Sequence, residues 1–121
     1  MQRVQKPFNC PIEVTLSLIG GKYKTLILWH LIDKPLHYME LQRLIPNATA
    51  KMLSQQLRDL ENKGLISRKV TLEKPPRTIY SLTAFGENTI PVLEAMCELG
   101  TKYLNVLDME TPCCHSIQNQ V

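Results

Sequence analysis

Residues 49–64 read Thr-Ala-Lys-Met-Leu-Ser-Gln-Gln-Leu-Arg-Asp-Leu-Glu-Asn-Lys-Gly, and the punctuation of this segment governs the rest. Thr49 is an N-cap residue and Gly64 a C′ residue, which predicts a helix from about Ala50 to Lys63. Leu53, Leu57 and Leu60 fall at i, i+4 and i+7 and make one inward stripe. Lys51, Ser54, Gln55 and Arg58 occupy the opposite face. All four can donate hydrogen bonds and none is acidic; Asp59 and Glu61 lie off that stripe.

Upstream, Pro46-Asn47 stops a short helix over Tyr38–Leu44, whose apolar set is Met39, Leu41, Leu44 and Ile45. A longer helix from about Lys22 to Ile32 precedes it, with Leu26, Ile27, Trp29 and His30 towards a buried face, and Pro35 ends it. The first helix begins at Pro11, which suits the first helical position. Ile12, Leu16 and Ile19 recur along it until Gly20-Gly21 breaks the pattern.

Downstream of Gly64 the period changes from 3.6 towards 2. Ile66, Val70 and Leu72 alternate with Ser67, Lys69 and Thr71, interrupted by Arg68; Thr78, Tyr80 and Leu82 supply a partner face. Leu65 to Leu82 is therefore expected as a β-hairpin whose tip, Glu73-Lys74-Pro75-Pro76-Arg77, is basic and stiffened by proline. Thr83 can cap a last helical region in which Pro91 starts or kinks the longer part. Leu93, Met96, Cys97, Gly100, Tyr103, Leu104 and Leu107 form its stripe, with only a short polar tail after it. Three helices, a hairpin and one more helix is the order of a winged helix-turn-helix: mainly α with a small β-hairpin wing (α+β). The expected organisation is a flexible arm at 1–9, a winged-helix domain with terminal dimerisation helices at 10–108, and a polar tail at 109–121.

Length and composition agree with one folded domain. The chain has 121 residues, 44% hydrophobic and 21% charged, which is ordinary globular usage and excludes disorder for the bulk. No apolar run approaches the roughly 18 residues of a membrane span. The N-terminal residues lack an apolar signal region, so a cytoplasmic location is expected, with the four cysteines as reduced thiols. From Lys22 to Arg77 eleven Lys and Arg stand against five Asp and Glu, a local +6, whereas from Ala84 onwards Lys102 faces five acidic residues, a local −4. A basic centre beside an acidic C-terminal part suits one surface that meets a polyanion.

Several ordered strings are similar to those of HxlR-type bacterial transcriptional regulators. They are Cys10-Pro11-Ile12-Glu13, Leu18-Ile19-Gly20-Gly21-Lys22-Tyr23-Lys24, Ile27-Leu28-Trp29-His30-Leu31, Lys51-Met52-Leu53-Ser54-Gln55-Gln56-Leu57-Arg58-Asp59-Leu60-Glu61, Gly64-Leu65-Ile66, Pro75-Pro76-Arg77 and Tyr80-Ser81-Leu82-Thr83. They run from about residue 10 to residue 100; Tyr23 stands where many relatives carry Trp. The resemblance implies a dimeric, cytoplasmic winged-helix regulator without enzymatic activity.

The partner expected on these grounds is double-stranded DNA. Gln55 suits bidentate reading of adenine, Arg58 or Lys51 suits guanine or phosphate, and Ser54 suits phosphate or a nearby base. Lys22 and Lys24 open the second helix, where the dipole already favours anions, and are candidate phosphate clamps. Tyr38 and Arg43 add candidates from the third helix, and Lys74 and Arg77 from the wing. The helices at 11–20 and 91–107 are the expected homodimer elements, in a C2 arrangement reading a pseudo-palindrome with half-sites about 10 base pairs apart.

Cys10 precedes Pro11 at a helix start, where positive potential favours the thiolate. Two readings stand beside each other: a sensor of oxidants or electrophiles, which the resemblance adds weight to, and an inert thiol packed beneath the first helix. Cys97 is expected simply to pack. Cys113-Cys114-His115 lacks a second ligand pair at zinc spacing, so no metal site is expected, and no cofactor or catalytic set is called for. Two competing functions remain: a winged-helix interaction module without specific DNA binding, and a thiol enzyme built on Cys10. The first would be marked by acidic or apolar residues at 51, 55 and 58. The second would need a base or charged partner beside Cys10, supplied by a Cys-x-x-Cys or a Cys/His arrangement around that thiol. The sequence has neither mark.

Overall fold

The structure, a computed structural model, describes residues 8–112. The arm expected at 1–9 thus falls mostly outside the described residues, as do Cys113, Cys114 and His115. Among the described residues five α-helices and three strands follow one another as α1 (Pro11–Ile19), α2 (Lys22–Leu31), β1 (Leu36–His37), α3 (Tyr38–Leu44), α4 (Ala50–Asn62), β2 (Ile66–Val70), β3 (Thr78–Leu82) and α5 (Ile90–Val106). A 3-10 turn over Gly86–Thr89 leads into α5.

The helix limits follow local chemistry. Thr49 Oγ1 accepts from Met52 N at 3.1 Å and caps α4. Gly64, with φ +79°, takes the left-handed conformation that turns the chain into β2. Pro91 sits in the first turn of α5, so it starts that helix without kinking it. Thr83 caps neither helical segment: its Oγ1 accepts from Gly86 N at 2.9 Å and closes the turn before the 3-10 segment, whose N-cap residue is Phe85. Gly86 is required there because a Cβ would run into the Leu65 carbonyl oxygen.

The core gathers around α4. Leu53, Leu57 and Leu60 are buried together with Ile27, Leu28 and Leu31 of α2, Leu41 and Ile45 around the end of α3, and Leu65, Ile66, Tyr80 and Leu93. Each fully buried leucine of this kind is worth roughly 1.5–3 kcal/mol relative to an exposed one.

The sheet carries one strand beyond the expected hairpin. β1 is a two-residue strand paired antiparallel to β3, with Leu36 opposite Tyr80, so the order is β1-β3-β2. The β2–β3 register sets Ile66 opposite Leu82 and Val70 opposite Thr78. The expected apolar face of β2 is true only at its first residue: Ile66 is buried, while Val70 is half-exposed and Leu72 fully exposed, because the hairpin leaves the body towards its tip. Met39 and Leu44 likewise face solvent at 59% and 47%, so of the expected apolar set only Leu41 and the C-cap residue Ile45 turn inward. In α2 the buried trio is Ile27, Leu28 and Leu31, with Leu26, Trp29 and His30 at its margin.

Candidate nucleic-acid interface

α3, the turn and α4 are held as one unit by polar links. At the start of α3, His37 N donates to Glu40 Oε1 at 2.8 Å, and the His37 ring Nδ1 lies 2.9 Å from the same oxygen. The His37 backbone N–H, ahead of the ring, holds the Glu40 carboxyl below its ordinary range. Ile45 N donates to Leu41 O at 2.9 Å, and Ala48 N to Ile45 O at 3.2 Å, which closes the turn. Tyr23 of α2 spans to it, its hydroxyl donating to Asn47 O at 3.3 Å.

At about 100° per residue, Lys51, Gln55 and Arg58 form the ridge of α4 diametrically opposite the leucine stripe, and all three are exposed. Asn62 extends that ridge by one more turn. Periodicity alone predicts this placement, one turn beyond Arg58. Ser54 is turned aside: its Oγ lies 3.3 Å from the Tyr38 hydroxyl, which also donates to Ala50 O at 3.4 Å. Tyr38 and Ser54 thus brace α3 against α4 beside the ridge.

Two clefts flank this unit. In one, of about 600 Å³, Tyr38 and Arg43 of α3 meet Arg77 of the wing-tip loop. In the other, of about 490 Å³, Arg58 of α4 meets Arg68 of β2 above Tyr80. Arg68 lies 3.6 Å from Glu61 and is half-exposed; it adds a basic residue to this surface that the sequence pattern does not give, since along β2 it shows only as a break in an apolar face. The wing tip is closed by Thr71 N to Arg77 O at 2.8 Å and Arg77 N to Thr71 Oγ1 at 2.9 Å. The Lys74–Pro75 peptide is cis, and Lys74 is exposed.

The two lysines that open α2 part company. Lys22 is exposed, with Nζ 5.7 Å from the Tyr23 ring centre. Lys24 instead points to the body: its Nζ lies 2.5 Å from Asp59 Oδ2 and its side chain is only 16% exposed. The charge of Lys24, expected at a phosphate, is engaged by Asp59 within the body of the protein. The reason is geometric, since residues two apart on a helix face different ways.

Cys10 is the N-cap residue of α1 and is exposed, which removes the packed-thiol reading. α1 buries only Ile19 and presents Ile12 and Leu16 to solvent. α5 buries only Leu93. The stripe expected on α5 divides: Leu93 turns in, Cys97 and Leu104 are half-buried, and the open seam is Val92, Met96, Leu99, Tyr103 and Val106. Among the described residues, no cluster of three or more His, Cys, Asp or Glu has metal-binding geometry, and no helix is long and apolar enough to cross a membrane.

Comparison with known proteins matches residues 18–108 to the HxlR-like helix-turn-helix model. The chain belongs to the HxlR-like helix-turn-helix family. Within that family it is similar to the HTH-type transcriptional regulators YkvN and YdeP of Bacillus subtilis. YkvN is 48% identical over 98 residues, 81% of this chain and 83% of YkvN. YdeP is 46% identical over 100 residues, 83% and 78% respectively. Among solved structures, the redox regulator HypR in its reduced form superimposes with a TM-score of 0.77 at 40% identity, covering 82% of this chain and 98% of HypR. Its oxidised form gives 0.74 at 42% identity, over 77% and 96%. The winged helix-turn-helix fold is thus established, and this HxlR-like chain is a transcriptional regulator of the helix-turn-helix type. Its relatives are regulators rather than enzymes.

Proposed function

We propose that this HxlR-like chain acts as a homodimer that reads a pseudo-palindromic operator and answers to oxidants or electrophiles through Cys10. The observation that carries the DNA reading is the ridge Lys51, Gln55 and Arg58, exposed and non-acidic on a helix whose opposite face is locked into the core. A major groove accepts one such helix, and these side chains carry the donors that base edges and phosphates accept. Lys22, Tyr38, Arg43, Ser54, Lys74 and Arg77 serve the phosphates alongside, because they stand exposed or around the clefts on either side of α4. The unpartnered apolar seams of α1 and α5 supply the dimer contact, since a patch of this kind on a small protein marks an interaction surface. HypR is a redox regulator by name, and the exposed Cys10 gives this chain an accessible thiol at the start of α1.

The experiment is protection of the intergenic DNA beside the gene by purified protein at physiological salt, with and without diamide. Specific protection lost on oxidation supports both halves of the reading. Specific protection indifferent to oxidant retains the regulator and rejects the thiol signal. Absence of any protected sequence in a genome-wide selection rejects operator reading.

A further inference from the structure

One side chain sits where three helices meet. Asp59, on the flank of α4, receives Lys24 of α2 at 2.5 Å and Lys63, the C-cap of its own helix, at 3.1 Å, both on Oδ2. That oxygen is closed to solvent, so the two ammonium groups take the place of water around it. Lys63 Nζ also donates to the Ser17 carbonyl of α1 at 2.6 Å, 46 residues away in sequence. A third link closes the ring: Thr25 Oγ1 of α2 donates to Ile19 O, at the end of α1, at 2.8 Å. α1 is thereby tied to α2, α2 to α4, and α4 back to α1.

The ring matters because packing alone hardly fixes α1. Residues 11–17 are exposed, and Ile19 in the last turn is the helix's only buried side chain. A helix held only through Leu18 and Ile19 at its end can swing; the further link at Ser17, through Lys63, sets its direction. Partly exposed ion pairs add little to stability, about 0–1 kcal/mol each, so the set of contacts is worth more as geometry than as energy. The helix whose direction it sets carries Ile12 and Leu16 in the proposed dimer seam, and the helix it is referred to carries the reading ridge.

We infer that Asp59 and Lys63 are positioning residues that set the angle between the dimer helix α1 and the reading helix α4, and so the distance between the two reading heads of a dimer. This rests on the dimeric operator reading given above. The carboxylate serves as a common anchor and Lys63 as the strut from α4 to α1; neither needs to touch DNA.

The test compares the full-length protein with Lys63→Met, Lys63→Arg and Asp59→Asn on operators whose half-site separation is changed by one base pair in either direction, and on a single half-site. Each base pair moves a half-site by about 3.4 Å and turns it by about 36°. The parent dimer is expected to prefer one spacing by about tenfold or more, equivalent to 1.4 kcal/mol. Lys63→Met and Asp59→Asn reduce that preference to about threefold or less, and Lys63→Arg restores it. Affinity for the single half-site and the dimer mass by sedimentation stay at parental values. Retention of the full spacing preference in a folded, dimeric Lys63→Met overturns the inference, as does loss of single half-site affinity in step with the operator. If Asp59→Asn fails to fold, Lys63→Met alone decides, because it leaves the Lys24–Asp59 pair in place. A parent that is monomeric, or indifferent to spacing, overturns the dimeric reading itself and the inference with it.

Discussion

Replacing Arg58 by alanine isolates base reading from everything else the chain does. Arg58 stands on the exposed ridge of α4, opposite Leu53, Leu57 and Leu60, and no ion pair within the described residues involves it. Surface substitutions of this sort change stability by no more than about 0.5 kcal/mol, so thermal unfolding and dimer mass should match the parent. An arginine held bidentate to guanine contributes about 1–3 kcal/mol of discrimination. A C2 dimer presents two copies, hence about 2–6 kcal/mol per operator, or a loss of at least about 25-fold in affinity. The assay is fluorescence anisotropy on the operator and on a scrambled duplex, between about 50 and 200 mM salt. The operator should weaken strongly while the scrambled duplex changes little. Equal weakening on both duplexes, with a shallower salt slope, would reassign Arg58 to phosphate. Unchanged affinity for both would refute the argument that the ridge of α4 enters the groove.

Lys22→Ala should weaken operator and scrambled DNA alike and flatten the salt dependence by about one unit per lost phosphate contact, two per dimer; parental slopes would remove it from the contact set. Cys10→Ser should bind the operator normally but no longer release it with diamide or a quinone, and continued release would move the sensor to another thiol. Acid unfolding tests the Asp59 anchor: Lys24, then Lys63, lowers its carboxyl below the ordinary 3.8. A lowered value in the folded state means the stabilisation is present above about pH 3.8 and is lost as pH falls through the folded value. Asp59→Asn should therefore lose part of the parent's pH dependence below about pH 4, and superimposable curves would contradict the anchor.

Legibility in the sequence followed how far each signal was local. α1, α3 and α4 were readable almost to the residue because proline, Thr49, Pro46 and Gly64 mark their ends in the chain itself. β1 was not readable, since two residues after a proline carry no periodicity and become a strand only when β3 lies beside them. The outward ridge of α4 came from the 3.6-residue period, but Lys24 shows the limit of that reasoning. Its position at a helix start suggested a phosphate clamp, and only the approach of Asp59 from another helix shows that its charge is already engaged. Arg68 is the converse case: along β2 it looked like an interruption, and in space it joins Arg58. The seam of α5 was visible as apolar spacing, while its exact phase depended on which side the body takes, here the side of Leu93.

α1 has nine residues and a single buried side chain, well short of the roughly 12–15 residues at which a helix persists unaided in water. Its folded state must therefore draw on whatever covers Ile12 and Leu16. Amide protons along residues 11–17 should exchange rapidly in dilute protein and slow as association proceeds, which makes this segment a direct gauge of assembly. The same dependence reaches the thiol at its head. Cys10 is the exposed N-cap residue of that helix, so its accessibility changes as association orders and covers the segment; the rate of its modification by an alkylating reagent should vary with protein concentration, and the chain's chemical sensitivity becomes a function of how many copies of it are present.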